Sequence, residues 1–338
     1  MTLQGIEELL VTGVDSRVQR LPSGLDLHYL VCDRVKSPTI ILIHGNVSSS
    51  IFWQRTMLEL SQDARIIAPD LPNYGFSGRR PVIASRGLSD FSDDLAAFHQ
   101  ALGLPPCHWL GWSMGGGILL KLADGVSGAS DRAGSECLVA SVWTGELANQ
   151  ALVSTLASGD TGDGPSSPRT VMRKVYVANP VVLTTQDEDR YVQAMLRTAL
   201  GPDYYPGDSS ASDNWPGYAP GGRGIANAMS GLYFNARGLL DLKSKPAILW
   251  IQGGKDQLIS DRSFLDASNL GQLGVLPGWP GVAECPLEPM IEQWKGFLSA
   301  YEELGGSVSR LWLANCGHSP HLEEPDAVHA AMRKWLSE

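Results

Sequence analysis

Ser113 stands at the centre of Gly111-Trp112-Ser113-Met114-Gly115, a Gly-x-Ser-x-Gly pentapeptide. Small residues on either side let a backbone turn sharply and expose one hydroxyl at the tip of the turn. A serine alcohol is a weak nucleophile, so it needs a base within reach and an acid that orients that base. His318, in Asn315-Cys316-Gly317-His318-Ser319-Pro320, follows the last apolar run and is the candidate base. Asp256 ends the run Ile248-Leu249-Trp250-Ile251-Gln252-Gly253-Gly254-Lys255-Asp256 and is the candidate acid. A carboxylate there can accept from histidine Nδ1–H and fix the tautomer that leaves Nε2 free for the serine proton.

A developing oxyanion also needs donors. Ile41-Leu42-Ile43-His44-Gly45-Asn46 closes a buried run in a His-Gly turn. The backbone N–H of Asn46 is the first expected donor and that of Met114 the second. His44 itself is expected to be structural, bonding the loop backbone. His321 lies three residues beyond His318 and competes with it for the base role. The glycine before His318, and its place just after a strand, favour His318. His28, His99, His108 and His329 are expected to be packing or surface residues.

The elements that must carry these residues alternate strand and helix. Leu27 to Val31 mixes apolar and polar residues, as in an edge strand. Thr39 to Ile43 is a β-branched run suited to a strand buried on both faces. Arg65 to Ala68, Cys107 to Leu110, Cys137 to Trp143, Ala247 to Ile251 and Ser309 to Leu313 are the other predicted strands. Met114 to Ala123 is a helix. Phe91, Leu95, Phe98 and Leu102 share one helical face, and so do Met290, Ile291, Trp294, Leu298 and Tyr301. A last helix begins near Pro325 and buries Val328, Met332 and Trp335. This rhythm predicts an α/β fold with a mostly parallel sheet and helices on both faces. From 147 to 240 the rhythm breaks. A Gly/Pro/Ser/Asp loop (159–168), two helical patterns (about 169–178 and 187–199) and a turn-rich aromatic stretch (204–218) replace it. The expected organisation is a core of 1–146 and 241–338 with a helical cap of 147–240 inserted.

Four features together resemble the α/β-hydrolase superfamily. They are Ile43-His44-Gly45, the segment Ala68-Pro69-Asp70-Leu71-Pro72-Asn73-Tyr74-Gly75-Phe76-Ser77, Gly111-Trp112-Ser113-Met114-Gly115-Gly116, and Gly317-His318 ahead of Glu324-Pro325. The resemblance covers about 20–145 and 245–338. It implies the chain order serine, acid, histidine, and a cofactor-free esterase, lactonase or carbon–carbon hydrolase. Dehalogenase and epoxide-hydrolase relatives share the His-Gly turn but carry an aspartate nucleophile, and Ser113 argues against both. Some members of the superfamily take the acid from the position after the strand that follows the nucleophile helix. Glu146, in Thr144-Gly145-Glu146-Leu147, is therefore the alternative acid.

The inserted stretch is rich in aromatics, which suits a hydrophobic or aromatic substrate. Most should simply pack the cap onto the core. Trp53, Trp112 and Trp143 are the expected pocket residues, and Pro277 to Gly281 is a candidate rim.

Composition narrows the classes. The chain has 338 residues, 43% of them hydrophobic and 18% charged, with a formal net charge of -10. No basic stripe suggests a nucleic-acid partner. Five scattered cysteines without CxxC spacing suit free thiols in a reducing compartment. No apolar run approaches a membrane span and no signal peptide is evident. The sequon Asn46-Val47-Ser48 falls in the oxyanion loop, where a glycan would block the site. These features give the expectation of a cytoplasmic protein with no nucleic-acid or membrane partner, and the aromatic insertion adds a small hydrophobic substrate. The lack of a P-loop lysine, of GxGxxG spacing and of HExxH gives the expectation of no metal or cofactor. Ester or lactone hydrolysis leads, carbon–carbon bond hydrolysis on the same triad is second, and a small-molecule receptor on a hydrolase scaffold is third.

Overall fold

The computed structural model describes residues 3–126, 137–140 and 150–337. Eight strands form one sheet: β1 (Asp15–Arg20), β2 (Asp26–Cys32), β3 (Thr39–Ile43), β4 (Arg65–Pro69), β5 (His108–Trp112), β6 (Cys137–Ala140), β9 (Ile248–Gly253) and β10 (Val308–Leu313). Their spatial order is β1-β2-β4-β3-β5-β6-β9-β10. β1 pairs antiparallel with β2, and β2 antiparallel with β4. Every later pairing is parallel. The order doubles back at β3 and β4, the switch outside which ligands gather at the carboxyl ends of such sheets. All five residues of β3 are buried, as its β-branched run requires of a central strand.

Two expectations are corrected. Leu27 to Val31 is not an edge strand. It lies within β2, buried and paired on both sides, and the edge is β1. β1 has a mostly polar sequence, because neither of its faces is fully covered. The stretch from 204 to 218 is not merely turn-rich, since β7 (Ser209–Ala211) and β8 (Tyr218–Pro220) pair there as a small separate sheet. The described part of the insertion gives no strand to the main sheet, but it is not wholly helical. Its helical pieces include Gln150–Ser158, Pro168–Val171 and Thr185–Met195. Elsewhere the predicted faces agree. Met290–Glu303 buries Met290, Ile291, Trp294, Leu298 and Tyr301. Pro325–Leu336 buries Val328, His329, Met332 and Trp335.

Asp70, just past β4, braces the loops that surround the site. One carboxylate oxygen accepts the Ser50 N–H at 2.8 Å. The other accepts the Phe76 N–H at 2.8 Å and meets His28 Nδ1 at 2.7 Å. The residue is fully buried. Burial alone would raise its pKa, but His28, His44 and the Phe76 N–H together outweigh that and hold it down to about 2. Its stabilising effect is therefore present above the unfolded value of 3.8 and is lost as the pH falls towards 2. Asp70→Asn is expected to destabilise the fold by about 3 kcal/mol. Urea unfolding at pH 7 checks this, and the gap between variant and wild type should narrow in acid.

Candidate active site

Four strand ends bring the site together. β3 runs into His44 and the loop at Asn46, β5 into Ser113, β9 into Asp256 and β10 into His318. Ser113 sits between β5 and the helix Met114–Val126, with φ of 56°. A non-glycine residue in the left-handed region is strained, and strain of this kind clusters at functional sites. The turn tolerates it because its flanks are small. A Cβ on Gly111 would lie 2.4 Å from the Gly115 carbonyl carbon, so the helix packs onto the strand only without one. The loop after β3 passes close by as well. A Cβ on Gly45 would lie 3.0 Å from the Ser113 Cβ.

Asp256 and His318 are paired. His318 Nδ1 lies 2.9 Å from Asp256 Oδ2, and both side chains are almost wholly buried. The other oxygen, Oδ1, accepts the Leu258 and Ile259 N–H groups at 2.8 and 2.9 Å, which fixes the carboxylate. The Trp112 indole N–H donates to the His318 carbonyl at 2.7 Å and anchors the loop from the other side. His318 and Ser113 line one cavity of about 480 Å³. Asn46, Val47 and Trp112 line it as well.

The loop at Asn46 and Val47 is held by side chains that sequence reasoning did not single out. Tyr74 donates to Asn46 Oδ1 at 2.6 Å. Tyr176, from the insertion, donates to the Asn46 and Val47 carbonyls at 3.2 Å each. Val47 has φ of 47°. His44 is structural as expected. Its Nε2 accepts the Leu71 N–H at 2.9 Å, and burial lowers its pKa. His321, the competing candidate, does not line the cavity. It is buried against Trp53, with ring centroids 4.2 Å apart, and burial holds its pKa down to about 3.

Of the expected pocket residues, Trp112 faces the cavity. Trp53 does not. It is 1% exposed, in the turn Ser50–Trp53, and its indole packs into the core. Trp143 and Glu146 lie outside the described residues. Pro277 to Gly281 is not part of the cavity lining, but its neighbours Val275 and Leu276 are. They belong to an apolar wall between Leu258 and Leu276 that sequence reading did not find. In that wall Phe264 and Val275 are large apolar side chains left exposed, at 44% and 62%. Among the described residues, no Lys, Arg, Asp or Glu lines the cavity.

The family described as the alpha/beta hydrolase family matches residues 40–331. A pimeloyl-[acyl-carrier protein] methyl ester esterase of Aliivibrio fischeri is 38% identical over 84 residues, 25% of this chain and 30% of that protein. A 2-hydroxy-6-oxo-2,4-heptadienoate hydrolase of Pseudomonas putida is 29% identical over 116 residues, 33% of this chain and 42% of that protein. These matches span less than half the length of the curated relatives. The solved structure of an esterase from Exiguobacterium antarcticum superposes with a TM-score of 0.60 at 16% identity, covering 96% of this chain and 100% of that one.

Proposed function

The chain belongs to the alpha/beta hydrolase family, and from that membership we propose that it is a serine hydrolase cleaving esters or lactones of small hydrophobic molecules. The observation that carries the reading is the buried His318–Asp256 pair, whose histidine lines one cavity together with Ser113. Ser113 Oγ attacks the ester carbonyl and passes its proton to His318 Nε2. Asp256 supports the imidazolium through Nδ1–H. The backbone N–H groups of Asn46 and Met114 hold the oxyanion, and the N-terminus of the helix after Ser113 favours the same charge. The tetrahedral intermediate then expels the alcohol, which takes the proton from His318. Water, deprotonated by His318, attacks the acyl-Ser113 carbonyl and releases the acid.

The lining favours an uncharged substrate. A dienoate of the kind named for the Pseudomonas putida relative carries a carboxylate, and burying that charge against the described lining, which holds no Lys or Arg, is costly. Ester cleavage is therefore ranked above carbon–carbon cleavage, although both would use the same three side chains. Residues 147–240 are proposed to act as a cap, supplying Tyr176, Tyr205 and Met229 to the cavity wall.

A fluorophosphonate probe tests the reading directly. Wild-type protein is expected to be labelled at one residue, Ser113, as mapped by peptide mass spectrometry. It should also turn over an aryl ester but not a vinylogous diketone acid. Folded protein that takes no label would transfer weight to a receptor on a hydrolase scaffold. Turnover of the diketone acid alone would favour carbon–carbon hydrolysis.

A further inference from the structure

The insertion reaches the catalytic machinery at two points only a few residues apart. Met172–Tyr176 is a π-helical turn, a rare geometry that tends to occur at functional sites. At its end the Tyr176 hydroxyl donates to the oxyanion-loop carbonyls of Asn46 and Val47. Just beyond, the N–H groups of Ala178 and Asn179 donate to Glu323 Oε2 at 2.7 and 3.1 Å. The second oxygen of that carboxylate, Oε1, accepts the Gly317 N–H at 2.7 Å and the Cys316 thiol at 3.6 Å. Gly317 immediately precedes His318. One carboxylate thus spans the insertion on one side and the histidine loop on the other. An ionised carboxylate suits this place because it only accepts, and each oxygen has lone pairs for two donors. The surfaces it joins are in close contact: a Cβ on Gly317 would lie 2.6 Å from the Ala178 nitrogen.

We propose that Glu323 is a positioning residue that couples seating of segment 176–179 to the placement of His318. The base is held in register only while the insertion is docked, and the same docking places Tyr176 on the oxyanion loop. Substrate entry that lifts this segment would loosen both halves of the machinery, and reseating it would restore them together. The catalytic half of this inference rests on the serine-hydrolase reading; the mechanical coupling does not.

Two variants separate these halves. Glu323→Gln keeps the shape but turns one acceptor oxygen into an N–H donor, which must face either Gly317 or Ala178. Gly317→Ala leaves the carboxylate intact and wedges the two surfaces apart. Amide hydrogen exchange is read on peptides covering 172–183 and 313–323, with a peptide across β9 as control. In both variants the two test peptides are expected to exchange about tenfold faster together, with the control unchanged. Labelling of Ser113 and kcat for an aryl ester should each fall about tenfold, with KM within about twofold. Faster exchange in only one of the two peptides would overturn the coupling. Wild-type kcat in a variant whose two peptides have both loosened would show a purely structural latch and overturn the positioning role. A wild type that never labels would sink the serine-hydrolase reading, and with it the catalytic half, while the paired exchange would still stand or fall by itself.

Discussion

Alanine at Ser113 is expected to abolish fluorophosphonate labelling and to lower kcat for an aryl ester by on the order of 10⁵-fold. The fold should persist, because alanine inherits the same strained turn and no buried partner is lost. His318→Ala should cost nearly as much, since an alcohol without its base is a poor nucleophile at neutral pH. The sharper result lies in the double variant. Groups that act as one unit lose their joint effect with the first deletion, so Ser113→Ala/His318→Ala should be no slower than either single variant. Steady-state rates of the three variants, each checked for folding by circular dichroism, test this. A double variant slowed by the product of the single losses would mean that the two side chains act independently, and the triad reading would fail. Residual turnover above the uncatalysed rate is expected in all three, since the cavity and the proposed oxyanion donors remain.

What the sequence disclosed follows from how local each signal is. The elbow was legible because Gly111 and Gly115 are demanded by close backbone packing, and that demand fixes residue types at fixed spacing. β3 was legible because a strand buried on both faces must be apolar throughout. β1 was not, because a sheet edge with exposed faces imposes little on sequence, and Asp15–Arg20 resembles a polar loop. Trp53 was misplaced for a related reason. Nearness to Asn46 in sequence says which residue is close by, not which way its ring points, and the turn Ser50–Trp53 sends it into the core. The roles of Glu323 and Tyr176 depend on contacts across 145 and 130 positions of chain, so no local pattern could reveal them. The apolar wall from Leu258 to Leu276 is of the same kind, since its residues become a surface only once folded around the cavity.

Asp256→Asn is expected to fold normally and to lower kcat by about 10⁴-fold, because of the way its two oxygens are committed. Oδ1 accepts two backbone N–H groups, from Leu258 and Ile259, and Oδ2 faces His318 Nδ1. In asparagine, the amide oxygen must take the two backbone donors, since an NH2 group there would meet N–H against N–H. The NH2 group then points at His318 and donates to Nδ1. Nδ1 must become an acceptor, so the ring proton moves to Nε2, where it blocks the base from receiving the serine proton. Geometry is kept while the tautomer is reversed. The loss should therefore appear in kcat, with KM little changed, and the backbone bonds should preserve the melting temperature. Glu146→Gln is the control. Should Asp256→Asn stay near wild-type rate while Glu146→Gln is inactive, the acid assignment moves to Glu146, and the Asp256–His318 pair becomes a structural bond.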